Sequence, residues 1–395
     1  MRKDLQGKEM AMSKIKYPDS VLKIFEIFKK YGYESYAVGG CVRDSLMGRT
    51  PYDWDITTSA CPEKTLEIFE REGIRTLPTG LKHGTVSVLL GNEIFECTTF
   101  RIDGDYKDSR HPESVTFTDK LELDLSRRDF TVNAMAASDD VGICDFFGGK
   151  NDLEKGIVRC VGEPSLRFSE DALRILRGVR FATVLNFDIE DKTLCAIKEL
   201  SHTLSGISAE RKTAELSKIL SSEYANRGVE LLFETGVINQ LLPDAQYIPK
   251  DMSVLEEDFS LRLATFMYQS GARDLSRLRL SNHEKKDINI LLSPIEFEDT
   301  SEGARRTLAK YGELAVNACK LQNRAALLCL VTEQKALCPA VSISQLKIDG
   351  NTLLSLGIPP QSIGSILSEL LDRVLSHPTL NDKNTLIKMA KELCA

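Results

Sequence analysis

The chain has 395 residues, of which 42% are hydrophobic and 28% charged, as in an ordinary soluble globular protein. This length predicts two to four domains, or one elongated assembly. The formal net charge of −7 argues mildly against nucleic-acid binding, but it does not exclude it, because phosphate contacts depend on local basic patches.

The cysteines and the N-terminus bear on the compartment. The ten cysteines are scattered, with no C-x-x-C and no Cys/His metal spacing, which predicts reduced thiols in a cytoplasmic protein. The N-terminal residues are polar, and no run of eighteen apolar residues occurs in the sequence. We therefore expect no signal peptide and no membrane segment. Nothing in the sequence implies a protein partner.

After a helical pattern at residues 21–30, residues 36–47 predict a strand, a tight turn and a helix. Gly39 and Gly40 form the turn, and Arg43 lies in the first turn of the helix. Backbone N–H groups at a helix start bind phosphate, and glycine lets a ligand approach them closely. We predict a polyphosphate site here, although a Gly-Gly pair by itself is usually only a turn.

Two aspartates follow this turn. Asp53 and Asp55 are two residues apart in a segment that we expect to be a strand, residues 54–58. A strand turns alternate side chains to the same face, so the two carboxylates should converge. Converging carboxylates beside a phosphate site could hold Mg²⁺ for phosphoryl or nucleotidyl transfer. D-x-D alone is common on exposed strand edges, so the prediction depends on the preceding glycine turn.

The next segments predict the rest of a mixed α and β region. Residues 62–73 predict a helix that begins at Pro62, and residues 79–100 predict a glycine-rich turn and two strands joined at Gly91-Asn92. Residues 101–117 are polar and interrupted by glycine and proline, as in a mobile surface loop.

Arg128 and Asp129 place a guanidinium next to a carboxylate. Such a pair could bind a ribose hydroxyl and phosphates together. A structural ion pair is the alternative.

Residues 169–182 (SEDALRILRGVRFA) predict a helix with Ser169 as its N-cap. Asp171 and Arg174 are one turn apart and could form a simple salt bridge worth about 0.3 kcal/mol. Together they also present an acceptor and a donor fork, which complement the amino group and ring acceptor shared by cytosine and adenine. Guanine and uracil carry a carbonyl in that place and would leave the carboxylate unpaired.

Two further arginines continue this spacing of three. Arg177 could still reach a bound nucleotide. Each step of three rotates the side chain by about −60° on an ideal helix, so Arg180 should point well away from Asp171. From residue 224 onward the patterns are helical, with short polar joints.

These segments resemble a known family. The string GGCVRDSLMGR at residues 39–49, followed by DWDIT at residues 53–57, is similar to the signature of the class II nucleotidyltransferases. That family contains the CCA-adding enzymes and the bacterial poly(A) polymerases. RRDFTVNAMA at residues 127–136 and EDALR at residues 170–174 resemble later motifs of the family. The resemblance is dense in the first 220 residues and thin beyond them.

The resemblance implies an α+β fold. A head with a nucleotidyltransferase-type β-sheet would occupy residues 13–150. It would be followed by an all-α neck that selects the nucleotide (151–222), an all-α body (223–298) and an all-α tail that binds tRNA (299–395).

The resemblance also implies residue roles. Asp53 and Asp55 would hold Mg²⁺, and Glu96 would support them as a third catalytic carboxylate. The residues implied to bind the nucleotide are Gly39, Gly40, Arg43, Arg128, Asp129, Asp171, Arg174, Arg177 and Arg180. Glu210 and Arg211 would brace the active-site helix. Loops similar to residues 101–117 take part in the switch from adding C to adding A.

The implied function is addition of CCA to the 3′ end of tRNA from CTP and ATP, without a template and with release of pyrophosphate. Addition of the terminal A alone remains an alternative. Polyadenylation is disfavoured by the intact loop and the tail. A tRNA-binding protein with an inactive site is disfavoured because both aspartates and both base-reading residues are present.

Overall fold

The computed structural model describes residues 15–104, 115–252, 255–337 and 339–394. The chain divides into two compact units, the first being Met1–Glu257 with Ala272–Arg279 and the second Asp258–Gly271 with Leu280–Ala395. Among the helices in the described ranges, none combines the length and apolar character needed to cross a membrane.

The first unit begins with a mixed β-sheet. The strands of this region are β1 (Ser35–Val38), β2 (Ile56–Thr58), β3 (Thr76–Gly80), β4 (Thr85–Leu90), β5 (Glu93–Thr99), β6 (Arg101–Asp103), β7 (Val115–Phe117), β8 (Ala136–Ser138) and β9 (Gly142–Cys144). Of these, β6 and β7 form a separate pair outside the sheet. The seven-stranded sheet has the order β3-β4-β5-β2-β1-β8-β9. Strands β2 and β5 pair in parallel, with Ile56 opposite Cys97. The residues that precede this pair, Asp55 and Glu96, therefore come to the same edge of the sheet.

Helices surround this sheet and continue the first unit. They are α1 (Asp19–Lys30), α2 (Gly40–Leu46), α3 (Pro62–Arg71), α4 (Leu121–Ser126), α5 (Gly149–Lys155), α6 (Pro164–Glu170), α7 (Leu173–Leu185), α8 (Asp191–Leu200), α9 (Ala209–Leu220) and α10 (Ala225–Glu234). A short parallel pair, β10 (Ile157–Val158) and β11 (Asp188–Ile189), lies within the range expected to be an all-α neck.

Several elements form as their sequence patterns predict. The apolar residues of α1 are buried, and Phe28 of α1 packs edge-on against Phe69 of α3 with ring centres 5.3 Å apart. Pro62 occupies the first turn of α3, where its missing N–H has no cost. Strands β4 and β5 form the hairpin predicted at Gly91-Asn92. The centre of the predicted loop, residues 105–114, lies outside the described residues.

The strand predicted at residues 54–58 begins later than expected. Asp53 and Asp55 precede β2, which starts at Ile56. The chain turns away from this strand at Gly39, where φ is 80°, so β1 offers no partner beyond Val38. The last backbone hydrogen bond between the two segments is the one that the Val38 N–H donates to the Asp55 carbonyl, at 3.0 Å.

The prediction that a helix starts at Ser169 is also wrong. Ser169 lies inside α6, which ends at Glu170, and α7 begins at Leu173. Asp171 lies in the break with an extended backbone, and its Oδ1 accepts the Leu173 N–H at 3.0 Å. A carboxylate that accepts this N–H satisfies one of the unpaired donors at the start of α7.

In the described residues of the second unit, the regular elements are all helices. Its helices are α11 (Phe259–Ser270), α12 (Asn282–Leu292), α13 (Ser301–Tyr311), α14 (Ala315–Leu321), α15 (Ala325–Ala336), α16 (Gly350–Ser355), α17 (Pro360–Ser376) and α18 (Lys383–Cys394). Leu353, Leu370 and Leu386 belong to one of its apolar clusters. The α+β fold class is thus confirmed, whereas the boundaries between neck, body and tail remain predictions.

Candidate active site

The first unit contains a cavity of about 410 Å³, a size that suits a small-molecule ligand. Its charged lining residues are Arg43, Asp55, Arg127, Arg128, Asp129, Asp171, Arg174, Arg177 and Arg211. The lining therefore holds six arginines and three aspartates, although the whole chain carries a net charge of −7. This positive excess favours a polyanionic ligand.

The glycine turn forms one wall of the cavity. Gly39 has a φ of 80°, a backbone conformation that is strained for any residue with a side chain. A Cβ there would also lie 3.1 Å from Nη1 of Arg128. Gly40 is the first residue of α2. Both glycines line the cavity, so the backbone at this wall is open to a ligand.

Asp55 lines the cavity, whereas Asp53 is exposed beside it. Loss of solvation and the negative charge of Asp53 raise the pKa of Asp55 to about 6, and Arg128 opposes this rise. Glu96 adds a smaller effect of the same sign as Asp53. Because Asp55 is itself exposed by surface area, water in the cavity moderates the shift. Asp53 and Glu96 are thus close enough to Asp55 for their charges to raise its pKa.

Two arginines of the cavity wall, Arg43 and Arg128, have carboxylate or amide partners. Arg43 donates from Nε to Oδ1 of Asp44 at 2.8 Å and from Nη1 to Oδ1 of Asn133 at 2.6 Å. Nη2 of Arg128 lies 3.6 Å from Oδ2 of Asp124, which is fully buried. The Nε of Arg128 is buried without a hydrogen-bond partner among the described residues. These contacts fix where two of the positive charges can point.

Asp129 pairs with Arg177 and not with its neighbour Arg128. The Asp129 Oδ2 accepts from Nε and Nη2 of Arg177 at 2.7 and 2.5 Å, and its Oδ1 accepts the Phe130 N–H at 2.8 Å. Burial alone would raise the pKa of Asp129, but the charge of Arg177 and these hydrogen bonds bring the pKa below its ordinary value. The pair belongs to the lining and is also a structural ion pair.

Asp171 and Arg174 both line the cavity, but each has its own partner. The Asp171 Oδ2 accepts from Nη2 of Arg211 at 2.7 Å. Nη1 of Arg174 donates to Oε2 of Glu170 at 2.5 Å, and its Nη2 donates to the Arg127 carbonyl at 3.0 Å. The two side chains predicted to read the base are therefore positioned independently of each other.

Comparison with known proteins decides the family. The Poly A polymerase head domain matches residues 35–159, and the probable RNA and SrmB-binding site of polymerase A matches residues 186–248. A CCA-adding enzyme of Bacillus cytotoxicus is 34% identical over 382 residues, which cover 92% of this chain and 95% of that protein. The chain belongs to the CCA-adding enzymes. A relative of the same name from Streptococcus agalactiae serotype V is 34% identical over 94% of this chain and 96% of its own length.

A solved structure supports the same assignment. The Bacillus stearothermophilus CCA-adding enzyme in complex with CTP is 31% identical to this chain, with a TM-score of 0.79. The alignment covers 96% of this chain and 98% of that one. The resemblance read from the sequence motifs is confirmed, and the chain is an enzyme, a nucleotidyltransferase.

In this member of the CCA-adding enzymes, three predicted site residues lie outside the cavity lining. Asp53 and Glu96 lie near Asp55 and act on it through their charge. Arg180 pairs with Glu215 on α9 and does not line the cavity. Its guanidinium instead lies 3.8 Å from the ring centre of Phe181.

Five lining residues were predicted neither as catalytic nor as nucleotide-binding: Arg127, Asn133, Leu173, Phe181 and Arg211. Arg211 was expected only as a brace, and it does hold Asp171. Asn133 stands in the same matching string as Arg128 and Asp129, and Phe181 directly follows Arg180, so proximity to predicted residues was the available signal.

Proposed function

We propose that this chain adds C, C and A, taken from CTP and ATP, to the 3′ end of tRNA and releases pyrophosphate. One observation carries the proposal: a single cavity brings together Asp55, the Gly39-Gly40 turn, and the pair Asp171 and Arg174. These features match the three tasks of the reaction, which are activation of a hydroxyl, binding of a triphosphate and selection of a base. Membership in the CCA-adding enzymes, and similarity to one in complex with CTP, support the same function.

The two aspartates fit a divalent cation. The repulsion from Asp53 and the lost solvation that raise the pKa of Asp55 would be relieved by a divalent cation, which Asp53 and Asp55 would hold. No cluster of three or more His, Cys, Asp or Glu side chains suited to a metal is found in the described part of the chain. Mg²⁺ is commonly held by one or two carboxylates, with phosphate and water completing its shell, so we assign Mg²⁺ to this pair. When bound, the ion supplies charge that activates the RNA 3′-hydroxyl and offsets charge on the α-phosphate.

We assign binding of the triphosphate to three arginines of the cavity lining. Arg43, Arg128 and Arg177 line the cavity together with the open glycine backbone. Their fixed positive charges would offset the charge of the bound triphosphate and of the departing pyrophosphate. Because the acceptors that hold Arg43 and Arg177 are already in place, little reorganisation of these two side chains is required during the reaction.

Asp171 and Arg174 account for base selection. The Asp171 carboxylate would accept from the amino group of cytosine or adenine, and Arg174 would donate to the adjacent ring nitrogen. Arg211 and Glu170 hold these two side chains, so the protein edge is preorganised. Uracil or guanine would leave the carboxylate without a donor.

We also propose that the chain works in the cytoplasm. The cysteines in the described ranges are free thiols, and Cys41, Cys97, Cys160 and Cys319 among them are buried. Buried unpaired thiols are typical of proteins that fold in a reducing compartment.

The test uses purified protein and three tRNA substrates, ending before the first C, after C and after CC. Each is incubated with Mg²⁺ and with one labelled nucleotide at a time, and the products are resolved on a gel. We expect CTP incorporation on the first two substrates, ATP incorporation on the third, and no further extension. ATP incorporation on the third substrate, with no CTP incorporation on the first two, would show A-only addition. Long A tails would show polyadenylation. Either result contradicts the proposal.

A further inference from the structure

Phe181 has an unusual set of neighbours. The guanidinium carbons of Arg43, Arg177 and Arg180 lie 5.4, 5.4 and 3.8 Å from the centre of its ring. Arg43 is on α2 of the sheet region, and the other two are on α7. Phe181 itself is 6% exposed and lines the cavity.

This arrangement gathers like charges around one apolar side chain. Each guanidinium has one carboxylate partner, namely Asp44 for Arg43, Asp129 for Arg177 and Glu215 for Arg180. Three cations that approach a common point repel one another, and the face of an aromatic ring attracts each of them through its quadrupole. An aliphatic side chain of similar size would fill the space without this attraction.

The direction of these charges matters for the cavity. Arg43 and Arg177 line it, whereas Arg180 does not. Phe181 therefore contacts two arginines that line the cavity and one that does not. Phe181 also packs against Phe130 in a T-shaped arrangement, with ring centres 5.7 Å apart, and the Phe130 side chain is fully buried and lies outside the lining.

We propose that Phe181 is a positioning residue for the triphosphate end of the nucleotide, which it serves by fixing Arg43 and Arg177 at the cavity wall. The inference rests on the proposed function, because it requires that these arginines bind the triphosphate. The triphosphate is common to CTP and ATP, so loss of the ring's attraction should weaken both nucleotides equally. The choice of base, which depends on Asp171 and Arg174, should not change.

The test weakens the quadrupole and preserves the shape. Phe181 is replaced by phenylalanines that carry one to four ring fluorines, and KM and kcat are measured for CTP, ATP and UTP on tRNA substrates. We expect KM for CTP and for ATP to rise together with each added fluorine, reaching about tenfold. The ratio of kcat/KM for CTP over UTP should stay constant. Phe181→Leu should show the same rise.

Phe130→Leu is the matched control, because it removes a neighbouring ring of the same size that contacts no guanidinium among the described residues. Its unfolding temperature should fall as much as that of Phe181→Leu, while its KM values should stay near wild type. Equal KM changes in both variants would mean that packing alone is responsible and would overturn the inference.

The remaining outcomes separate the inference from the proposed function. Arg43→Ala is measured alongside, and it should raise KM for both nucleotides. If Arg43→Ala weakens both nucleotides and the fluorinated proteins bind them normally, the role of Phe181 is overturned and the triphosphate site stands. If Arg43→Ala also leaves KM unchanged, the triphosphate assignment itself fails, and the inference fails with it.

Discussion

The carboxylate of Asp171 is held by Arg211, with 2.7 Å between Oδ2 and Nη2, and not by Arg174. Arg174 is held by Glu170 and by backbone carbonyls. The two groups assigned to read the base are thus fixed from outside. Their side chains do not hydrogen-bond to each other. A protein template needs this property, because its hydrogen-bonding groups must pair with the base of a nucleotide.

Arg211→Ala should impair base selection without removing any group assigned to touch the base. Asp171 would keep its bond from the Leu173 N–H but lose its ion-pair partner, so its carboxylate would be less precisely placed. We expect the ratio of kcat/KM for CTP over UTP to fall about tenfold. Single-nucleotide incorporation kinetics on a tRNA lacking CCA would measure it.

Arg211 has a useful neighbour as a control. Glu210 is exposed and pairs only loosely with Arg279, at 3.8 Å. Glu210→Ala should leave the ratio unchanged. A wild-type ratio in Arg211→Ala would show that the ion pair does not position Asp171.

Arg174→Ala should relax the choice among the four nucleotides. It removes the donor fork, and loss of one bidentate contact costs about 1–3 kcal/mol of discrimination. Glu170 would not be left unpaired, because Arg167 also donates to it at 2.9 Å. Competition between labelled CTP and the other nucleotides would measure the change.

Arg167→Ala is the matched control for this variant. It removes the other arginine on Glu170, and Arg167 is not part of the cavity lining. Its selectivity should equal that of wild type. Unchanged selectivity in Arg174→Ala itself would contradict the base-reading role.

Asp55→Asn should abolish nucleotide incorporation and leave tRNA binding intact, because it removes one of the two carboxylates assigned to Mg²⁺. Incorporation assays and filter binding of labelled tRNA would measure the two effects. Asp140→Asn, which changes an exposed carboxylate paired with Lys29, should retain activity. Turnover near wild type in Asp55→Asn would refute the metal assignment.

The same variant has a pH signature in the absence of divalent ions. The folded pKa of Asp55 is raised to about 6, so folding disfavours its ionised form above that pH. This cost is constant from pH 8 to just above pH 6, so relative to Asp55→Asn the wild type should gain stability as the pH falls from about 6 towards the ordinary pKa of an aspartate, about 4. After allowance for the exposure of Asp55, we expect Asp55→Asn to be about 1 kcal/mol more stable than wild type at pH 8. Urea unfolding in EDTA should show this difference shrinking towards pH 4.5.

Asp124→Asn should destabilise the protein by about 3 kcal/mol at pH 7, because it removes the fully buried carboxylate that two partly buried arginines share. Asp124 is fully buried and accepts from Arg127 at 2.8 Å, with Arg128 at 3.6 Å. Burial would raise its pKa, but these two arginines lower the pKa below its ordinary value. Its contribution is therefore present at neutral pH and is lost below about pH 4.

Urea unfolding across pH 3–7 would measure this contribution. The exposed pair Lys29–Asp140 has a similar distance, 2.9 Å, and Asp140→Asn should change stability by less than about 1 kcal/mol. An Asp124→Asn protein as stable as wild type at pH 7 would show that the carboxylate does not hold these arginines.

The sequence predicted much of the local structure. The Gly39-Gly40 pair identified the turn, because Gly39 has a positive φ and a Cβ on it would lie only 3.1 Å from Nη1 of Arg128. The apolar spacing of α1 and the Gly91-Asn92 hairpin are likewise properties of short segments. The motif strings were also enough to identify the family.

The sequence by itself therefore determined which residue types were available and the family to which the chain belongs, since both are encoded in contiguous segments. Only the tertiary structure decided the partners. It placed a break between two helices at Asp171. It also paired residues from different elements, namely Asp129 with Arg177 and Asp171 with Arg211. A guanidinium can satisfy any carboxylate within reach, and which one lies within reach is set by how the helices pack, which no local pattern records.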